Sequence, residues 1–264
     1  MQQALSLSNN VKISRIKIGF ARREHWKNLL RNPSLLLKSP DHNGTESSEE
    51  KIFCISIQRT GTTSVGKFFR DFGFKWAGWE ASRKNGWGLS WYDGDYEKIF
   101  SSFFFRAANA FEDSPWFMPG FYKVLYHRFP NVKFILFKRD PDAWFQSILN
   151  HPRINILEGS RVHCKIYRRE LEYFDFMGSW EIDKKFENQN FPNNNIKELD
   201  FADHYKDVYR LHNIEVEDFF QRHAPDSLFK GELEDPCKWQ KLGEFLNIDV
   251  PKEYSSHENP SGGE

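Results

Sequence analysis

The sequence predicts an α/β fold in three layers, with a central, mainly parallel β-sheet flanked by helices. Short apolar runs of the length of buried strands alternate along the chain with stretches whose apolar residues recur at helical spacing. Strands that alternate with helices are typical of parallel sheets covered on both faces. Of the 264 residues, 39% are hydrophobic, which is enough for one buried core.

The first strand and helix are predicted between residues 52 and 73. Ile52 to Ile57 form an apolar run that fits a buried strand, and a polar loop from Gln58 to Thr63 follows it. An amphipathic stripe then recurs at helical spacing through Val65, Phe68, Phe69 and Phe72. Gly73 is placed to end this helix. The predicted order is therefore strand, tight polar loop and helix.

The next elements are predicted between residues 109 and 149. Asn109 to Asp113 indicate a strand that ends in two acidic residues, and a helix with its stripe at Phe121, Val124 and Leu125 ends before Pro130. Val132 to Phe137 form another apolar strand. Asp140 is placed to cap the helix that follows, with Pro141 at its first position and Leu149 near its end.

The last third of the chain is predicted to close the fold. Residues 150–200 are weakly periodic, which is typical of a functional loop, a lid or a substrate wall. A long amphipathic helix is predicted from Asp203 to Arg222, and a strand from Leu228 to Leu233. The pair Asp235–Pro236 indicates the start of a final helix that runs through Leu246.

Composition and charge exclude several classes of protein. Lys plus Arg equals Asp plus Glu at 37 each, which argues against a nucleic-acid-coating protein, and no apolar stretch is long enough for a transmembrane helix. Three scattered cysteines predict neither a disulfide framework nor a zinc site. The start of the chain lacks the order of a secretory signal, so a cytoplasmic location is expected. Residues 1–50 are interpreted as a basic arm with a polar linker. The arm either packs on the domain of residues 51–264 or makes a peripheral contact with an anionic surface.

The loop after the first strand has the features of a phosphate-binding device. Gly61 allows close approach of the backbone, Thr62, Thr63 and Ser64 add hydroxyl groups, and Arg59 adds a positive fork suited to phosphate-like oxygens. The alternative is an ordinary turn between a strand and a helix. The Lys of the NTPase pattern is missing after Gly61, so hydrolysis of ATP or GTP through magnesium is disfavoured.

Two motifs carry a resemblance to the sulfotransferases. Gln58-Arg-Thr-Gly-Thr-Thr-Ser64 resembles the 5′-phosphosulfate loop of that family, in the branch with an Arg-Thr-Gly-Thr-Thr-Ser loop. Arg139 at a strand end, with Ser147 eight residues later on a helix, resembles the family's 3′-phosphate signature. The resemblance covers roughly residues 51 to 258.

The resemblance implies a P-loop-type fold and the donor 3′-phosphoadenosine-5′-phosphosulfate, with 3′,5′-bisphosphoadenosine as product. It implies in-line, metal-free transfer of the sulfuryl group to a hydroxyl or amine. The implied acceptor is a small molecule, a carbohydrate or a lipid. The residues it assigns to donor binding are Arg59, Thr60, Gly61, Thr62, Thr63, Ser64, Arg139 and Ser147. Arg59 stands where most members have Lys, and it is also expected to stabilise the charge that grows on the leaving phosphate.

The acceptor must lose a proton, so a general base is expected near the sulfuryl group. At the place where cytosolic sulfotransferases carry a catalytic His, this chain has Asp113. Asp113 is therefore the first candidate, Glu112 the second and Glu80 the third; the alternative is that Glu112 and Asp113 cap the next segment. A tryptophan cluster lies between the loop and this strand at positions Trp76, Trp79, Trp87 and Trp91. It indicates core packing, an acceptor pocket or a surface on which the adenine ring stacks.

Two rival functions stay open at this stage. One is a kinase-like phosphotransferase of the P-loop type, which would need a Lys in the loop and a magnesium ligand. The other is a non-catalytic nucleotide-binding relative that keeps the phosphate sites but has lost turnover. Binding of 3′,5′-bisphosphoadenosine without magnesium and transfer of sulfate would separate the three.

Overall fold

A computed structural model of the chain describes residues 50–150, 161–171 and 202–256. The chain divides into two units, Met1–Ser48 and Glu49–Glu264. The predicted basic arm lies outside the described residues, as does most of the predicted lid between residues 150 and 200. The roles of both segments, and the domain boundary at residue 51, therefore stay predictions.

Five parallel strands form the central sheet, in the order β2-β3-β1-β4-β5. They are β1 (Ile52–Cys54), β2 (Trp76–Ala77), β3 (Ala110–Phe111), β4 (Lys133–Lys138) and β5 (Leu228–Glu232). Phe53 of β1 stands between Phe111 of β3 and Phe134 of β4. Every strand pair among the described residues is parallel, which confirms the predicted α/β fold class.

Helices flank this sheet on both faces. They are α1 (Thr62–Asp71), α2 (Trp79–Asn85), α3 (Trp87–Asp93), α4 (Tyr96–Phe100), α5 (Phe103–Ala107), α6 (Phe121–Arg128), α7 (Pro141–Leu149), α8 (Arg161–Ile166), α9 (Ala202–His223) and α10 (Lys238–Leu246), with a 3₁₀ turn at Pro225–Ser227. None of the described helices is long and apolar enough to cross a membrane.

Two apolar clusters lie on opposite faces of the sheet, so helices can pack on both faces and give the fold three layers. On one face the rings of Phe53, Phe111 and Phe134 pack with residues of α9 such as Phe220. On the other face Cys54 and Ile135 pack with residues of α1 and α10. Neighbouring strand residues point to opposite faces, so each buried strand supplies both clusters.

The predicted end of one helix and the predicted start of another are confirmed. Gly73 follows α1 with a φ of 77°, and the N–H of Phe74 donates to the carbonyl of Phe69 at 2.9 Å, with their rings in contact. This is the hydrogen-bond pattern of a glycine-terminated helix. At the start of α7, the Asp140 side chain accepts from the N–H groups of Asp142 and Ala143, and Pro141 is the first helical residue.

Several predicted boundaries were wrong. The first strand ends at Cys54 because the Ser56 hydroxyl, rather than a backbone carbonyl, accepts from the N–H of Phe137 at 2.7 Å. The strand predicted for Asn109 to Asp113 is limited to Ala110–Phe111. The last helix begins at Lys238, since the Asp235 carboxylate accepts from the N–H of Cys237 and closes a turn before it.

Other elements were not predicted. Strand β2 and the short helices α2 to α5 lie between residues 76 and 107. The segment predicted to be irregular contains helix α8.

Candidate functional site

The loop between β1 and α1 presents its backbone in an unusual conformation. Arg59 has a φ of 70° and Gly61 a φ of 80°, so two residues of one short loop lie in the left-handed region. The Thr60 hydroxyl donates to the carbonyl of Ile57 at 2.5 Å and ties the loop to the strand. Strained residues of this kind gather at functional sites.

Helix α1 starts directly after this loop, so its first turn lies beside the loop. It begins at Thr62, it has no acidic residue in its first turn, and Gly61 provides no capping side chain. The N–H groups of a first helical turn lack partners within the helix and carry a partial positive charge. The loop and helix therefore form a concave surface suited to an anion.

Gly61 is required by space as well as by backbone conformation. A Cβ at this position would lie 2.6 Å from Cδ1 of Leu233, just beyond β5. No side chain other than hydrogen fits here without a shift of Leu233. The loop therefore packs against Leu233, which follows β5.

The structure brings Arg139 and Ser147 to this loop. Nε of Arg59 donates to both Oγ and the carbonyl oxygen of Ser147, at 3.1 Å each. Nη1 of Arg139 lies 3.4 Å from the carbonyl oxygen of Arg59. Arg139 follows β4 and Ser147 is buried on α7, so two separate elements deliver them to one place.

The two guanidinium groups at this place differ in their carboxylate partners. Burial, and then the nearby Arg139 guanidinium, lower the pKa of Arg59. Among the described residues no carboxylate forms an ion pair with Arg59. Nε of Arg139 lies 3.4 Å from Oε1 of Glu234 but is buried without a directed hydrogen bond. Two converging guanidinium groups, of which Arg139 pairs with one carboxylate and Arg59 with none among the described residues, favour the binding of an anionic ligand.

Asp113 lies at the end of β3, beside the strand that carries the loop. It has a φ of 68°, and its Oδ1 accepts from the N–H of Ser114 at 2.6 Å. Burial raises the pKa of its carboxyl group, while the Ser114 N–H opposes that change. Because β1 and β3 are parallel neighbours, Asp113 and the phosphate-type loop lie at the same edge of the sheet.

The other two candidate bases lie in different surroundings. The Glu112 side chain is 4% exposed, and burial followed by the charge of Asp113 raises its pKa well above the usual range. Glu80 is largely exposed and pairs with Lys84 at 3.6 Å. Asp113 alone combines partial exposure, a raised pKa and a place at the strand end.

Some residues of the site were not predicted from the sequence. The Gln58 side chain donates to the hydroxyl of Tyr167. The backbone carbonyl oxygen of Gln58 accepts from the indole N–H of Trp144 at 2.9 Å. The Tyr209 hydroxyl accepts from the N–H of Arg139 at 2.9 Å and donates to its carbonyl at 3.1 Å. The phosphate motifs contain no signal for these supports, although Tyr209 belongs to the apolar stripe of α9.

Two other expectations can be compared with the structure. Trp87 and Trp91 are buried in the core, whereas Trp79 is 45% exposed, so only part of the predicted tryptophan cluster is accessible. His212 of α9 makes a buried hydrogen bond through Nε2 to the carbonyl oxygen of Ile55 at 2.9 Å. Within residues 50–150, 161–171 and 202–256, no group of three or more His, Cys, Asp or Glu is arranged to hold a metal ion.

The chain is similar to known proteins at the level of a domain family. A family model described as a sulfotransferase domain matches residues 51–262. A solved structure of a sulfotransferase from Alicyclobacillus acidocaldarius is 14% identical to this chain. The match covers 79% of this chain and 84% of the solved one, with a TM-score of 0.44. No curated protein matches the chain.

Proposed function

The chain belongs to the sulfotransferase domain family, and from this premise we propose that it moves the sulfuryl group of 3′-phosphoadenosine-5′-phosphosulfate to an acceptor hydroxyl or amine. The product would be 3′,5′-bisphosphoadenosine. The proposal includes donor binding by Arg59, by Thr60 to Ser64, and by Arg139 with Ser147. It also includes Asp113 as the general base.

The observation that carries the proposal is the meeting of Arg139 and Ser147 with the loop after β1. A nucleotide with one phosphate needs one cradle, whereas a bisphosphate needs two. Thr62 to Ser64 at the start of α1 suit the 5′-phosphosulfate, and Arg139 and Ser147, which both contact Arg59, suit a second, 3′-phosphate. Arg59 and Ser147 are 88 positions apart in the sequence, and one pair of hydrogen bonds joins them.

The chain's own residues would act on the two ends of the reaction. Bound donor supplies the sulfuryl group and a phosphate that gains negative charge as the S–O bond breaks. Arg59 and the N–H groups of α1 face that phosphate, and their preorganised positive charge stabilises the transition state more than the ground state. Asp113 would accept the proton of the acceptor hydroxyl.

In the proposal the acceptor attacks the sulfur in line with the leaving phosphate. In-line transfer requires the acceptor and the leaving phosphate on opposite sides of the sulfur. Arg59 follows β1 and Asp113 follows β3, so the leaving group and the base are held by neighbouring strand ends. The accessible Trp79, which begins α2 next to this edge, is our candidate for a wall of the acceptor site.

Transfer of ³⁵S from labelled donor to a panel of small alcohols, amines, carbohydrates and lipids tests the proposal, with EDTA present throughout. We expect a labelled product from the unaltered chain. Asp113→Asn should lose turnover by about 10²-fold or more while it still binds 3′,5′-bisphosphoadenosine. Glu80→Gln, a change at an exposed carboxylate, is the matched control and should keep turnover.

The rival functions give different results in the same experiment. A kinase-like phosphotransferase would bind ATP with magnesium and would not bind the bisphosphate in EDTA. A non-catalytic relative would bind the bisphosphate but yield no labelled product with any acceptor. Full turnover in Asp113→Asn would remove Asp113 from the catalytic role and leave donor binding to be judged by itself.

A further inference from the structure

Glu112 is a buried acid that the proposed chemistry does not use. Its side chain lies on the α1 face of the sheet and is 4% exposed. A Cβ at Gly66 of α1 would lie 3.2 Å from Glu112 Oε1, and a Cβ at Gly78 would lie 2.2 Å from the same atom. A side chain at position 78 would therefore collide with this carboxyl, and one at position 66 would crowd it.

The carboxyl also completes the start of α2. The residue before this helix is Gly78, which offers no capping side chain. The Glu112 carboxyl lies against Gly78 instead, where the N–H of Trp79, the first residue of α2, favours its charged form. Glu112 is thus placed to cap α2 from another element of the fold, in the role that Ser or Asp usually plays within the chain.

Helix α2 in turn contacts the bend that carries Asp113. Oγ of Ser82, in the middle of α2, lies 3.3 Å from Oγ of Ser114. The N–H of Ser114 donates to Asp113, whose backbone is held in the left-handed region. A chain of contacts therefore leads from Glu112 through α2 and Ser114 to Asp113.

We propose that Glu112 is a positioning residue, whose carboxyl caps α2 from β3 and so fixes the bend that aims Asp113 at the acceptor. The role in acceptor turnover rests on the proposed function. The capping role does not, and it can be tested without any acceptor. Glu112 was a candidate base from the sequence, but its carboxyl faces the backbone of α1 and α2 instead.

The electrostatic surroundings disfavour the charged form of this carboxyl. Burial and then the charge of Asp113 raise the pKa of Glu112. Arg70 of α1, which stacks on the Trp76 ring at 4.6 Å, is the cation that opposes this rise. Cys54 of β1 is also close enough to feel the charge of Glu112. Ionisation of Glu112 at high pH would place a second negative charge beside Asp113.

Hydrogen exchange of the Trp79 amide tests the cap, measured by mass spectrometry on peptides that span residues 78–82. Glu112→Ala should speed this exchange about tenfold or more, the scale for loss of a helix cap. Glu112→Gln keeps the shape and an acceptor oxygen, and should stay near the rate of the unaltered chain. Glu80→Gln, on an exposed turn of the same helix, is the control and should change nothing.

Kinetics with an acceptor found in the screen tests the consequence. Glu112→Ala should lose about tenfold or more in kcat with the KM for donor unchanged, and Glu112→Gln should restore kcat. Affinity for 3′,5′-bisphosphoadenosine should be equal in all variants. If the unaltered chain fails to bind the bisphosphate, the proposed function falls, and the exchange data still judge the cap.

Two results would overturn the inference. One is an unchanged Trp79 exchange rate in Glu112→Ala, and the other is equal damage by the Gln and Ala variants. If Glu112→Ala does not fold, the pH dependence decides between the outcomes. Trp79 exchange, corrected for its intrinsic pH dependence, should accelerate with rising pH in the unaltered chain but not in Glu112→Gln. Parallel profiles would contradict the role.

Discussion

Ser147→Ala gives the sharpest test of the second phosphate site, because the structure separates its two possible effects. Nε of Arg59 donates to both the hydroxyl and the backbone carbonyl of Ser147, at 3.1 Å each. Removal of the hydroxyl leaves the bond to the carbonyl in place. Arg59 should therefore keep its position, and the loop after β1 should keep its shape.

The expected loss of affinity follows from the charge on the ligand. A hydrogen bond to a charged group contributes about 1–3 kcal/mol, so Ser147→Ala should raise the Kd for 3′,5′-bisphosphoadenosine by about 5–150-fold. Arg139→Ala should have an effect of at least the same size, since it removes a full positive charge. Adenosine 5′-phosphate lacks the 3′-phosphate, and its Kd should change by less than about threefold in Ser147→Ala.

Isothermal titration calorimetry with both nucleotides measures this difference. Gln146→Ala is the matched control, because Gln146 is the exposed neighbour of Ser147 on α7. Unchanged affinity for the bisphosphate in both Ser147→Ala and Arg139→Ala would refute the assignment. An equal loss for the two nucleotides would show that the hydroxyl supports the loop rather than the 3′-phosphate.

Three further changes test other parts of the site. Arg59→Ala should lower turnover more than affinity for the bisphosphate, because its partner charge grows in the transition state; weaker ground-state binding with intact turnover would contradict that role. The kcat/KM for the acceptor should fall as pH is lowered, with a midpoint above the ordinary Asp value of about 4, since burial raises the pKa of Asp113 and the base must be ionised. A profile that stays flat down to pH 4 would exclude Asp113. Gly61→Ala should lower the thermal midpoint by about 2–8 °C through left-handed strain of about 1–2 kcal/mol, and by more if Leu233 cannot shift. Gly73→Ala, with a φ of 77° and open space around its Cβ position, measures the strain alone, and an equal effect of the two changes would show that Leu233 adds nothing.

The parts of the fold with strong local signals could be predicted from the sequence. The apolar run at Ile52, the stripe of α1 and the Asp140–Pro141 start of α7 each combine a periodic pattern with a residue that fixes a boundary. The pairing of Arg139 with the loop was also expected, because the resemblance to the sulfotransferases implied it. Its geometry through the Tyr209 hydroxyl was not, since that contact joins residues far apart in sequence.

The region between β2 and α5 escaped prediction for a physical reason. Strand β2 contains two residues, too few to form a recognisable run, and α2 to α5 are each five to seven residues long. Helices this short show less than two full turns of a stripe. Trp87 and Trp91 are therefore visible in the sequence as aromatic residues, but their burial is set by tertiary packing.

The choice between Glu112 and Asp113 shows the same limit at the site. Neighbouring residues at a strand end point to different sides, and the sequence does not show which side faces the cleft. The structure shows which side Glu112 faces, because the missing side chains of Gly66 and Gly78 make room for its carboxyl behind α1. That role is visible only once the three segments are placed together.

A crystal structure of the chain with 3′,5′-bisphosphoadenosine tests the central claim most directly. The account predicts the 5′-phosphate on the N–H groups of Thr62 to Ser64, and the 3′-phosphate within hydrogen-bond distance of both Arg139 and Ser147. A bisphosphate bound with its 3′-phosphate away from these two side chains would contradict the account, even if the nucleotide occupied the loop after β1.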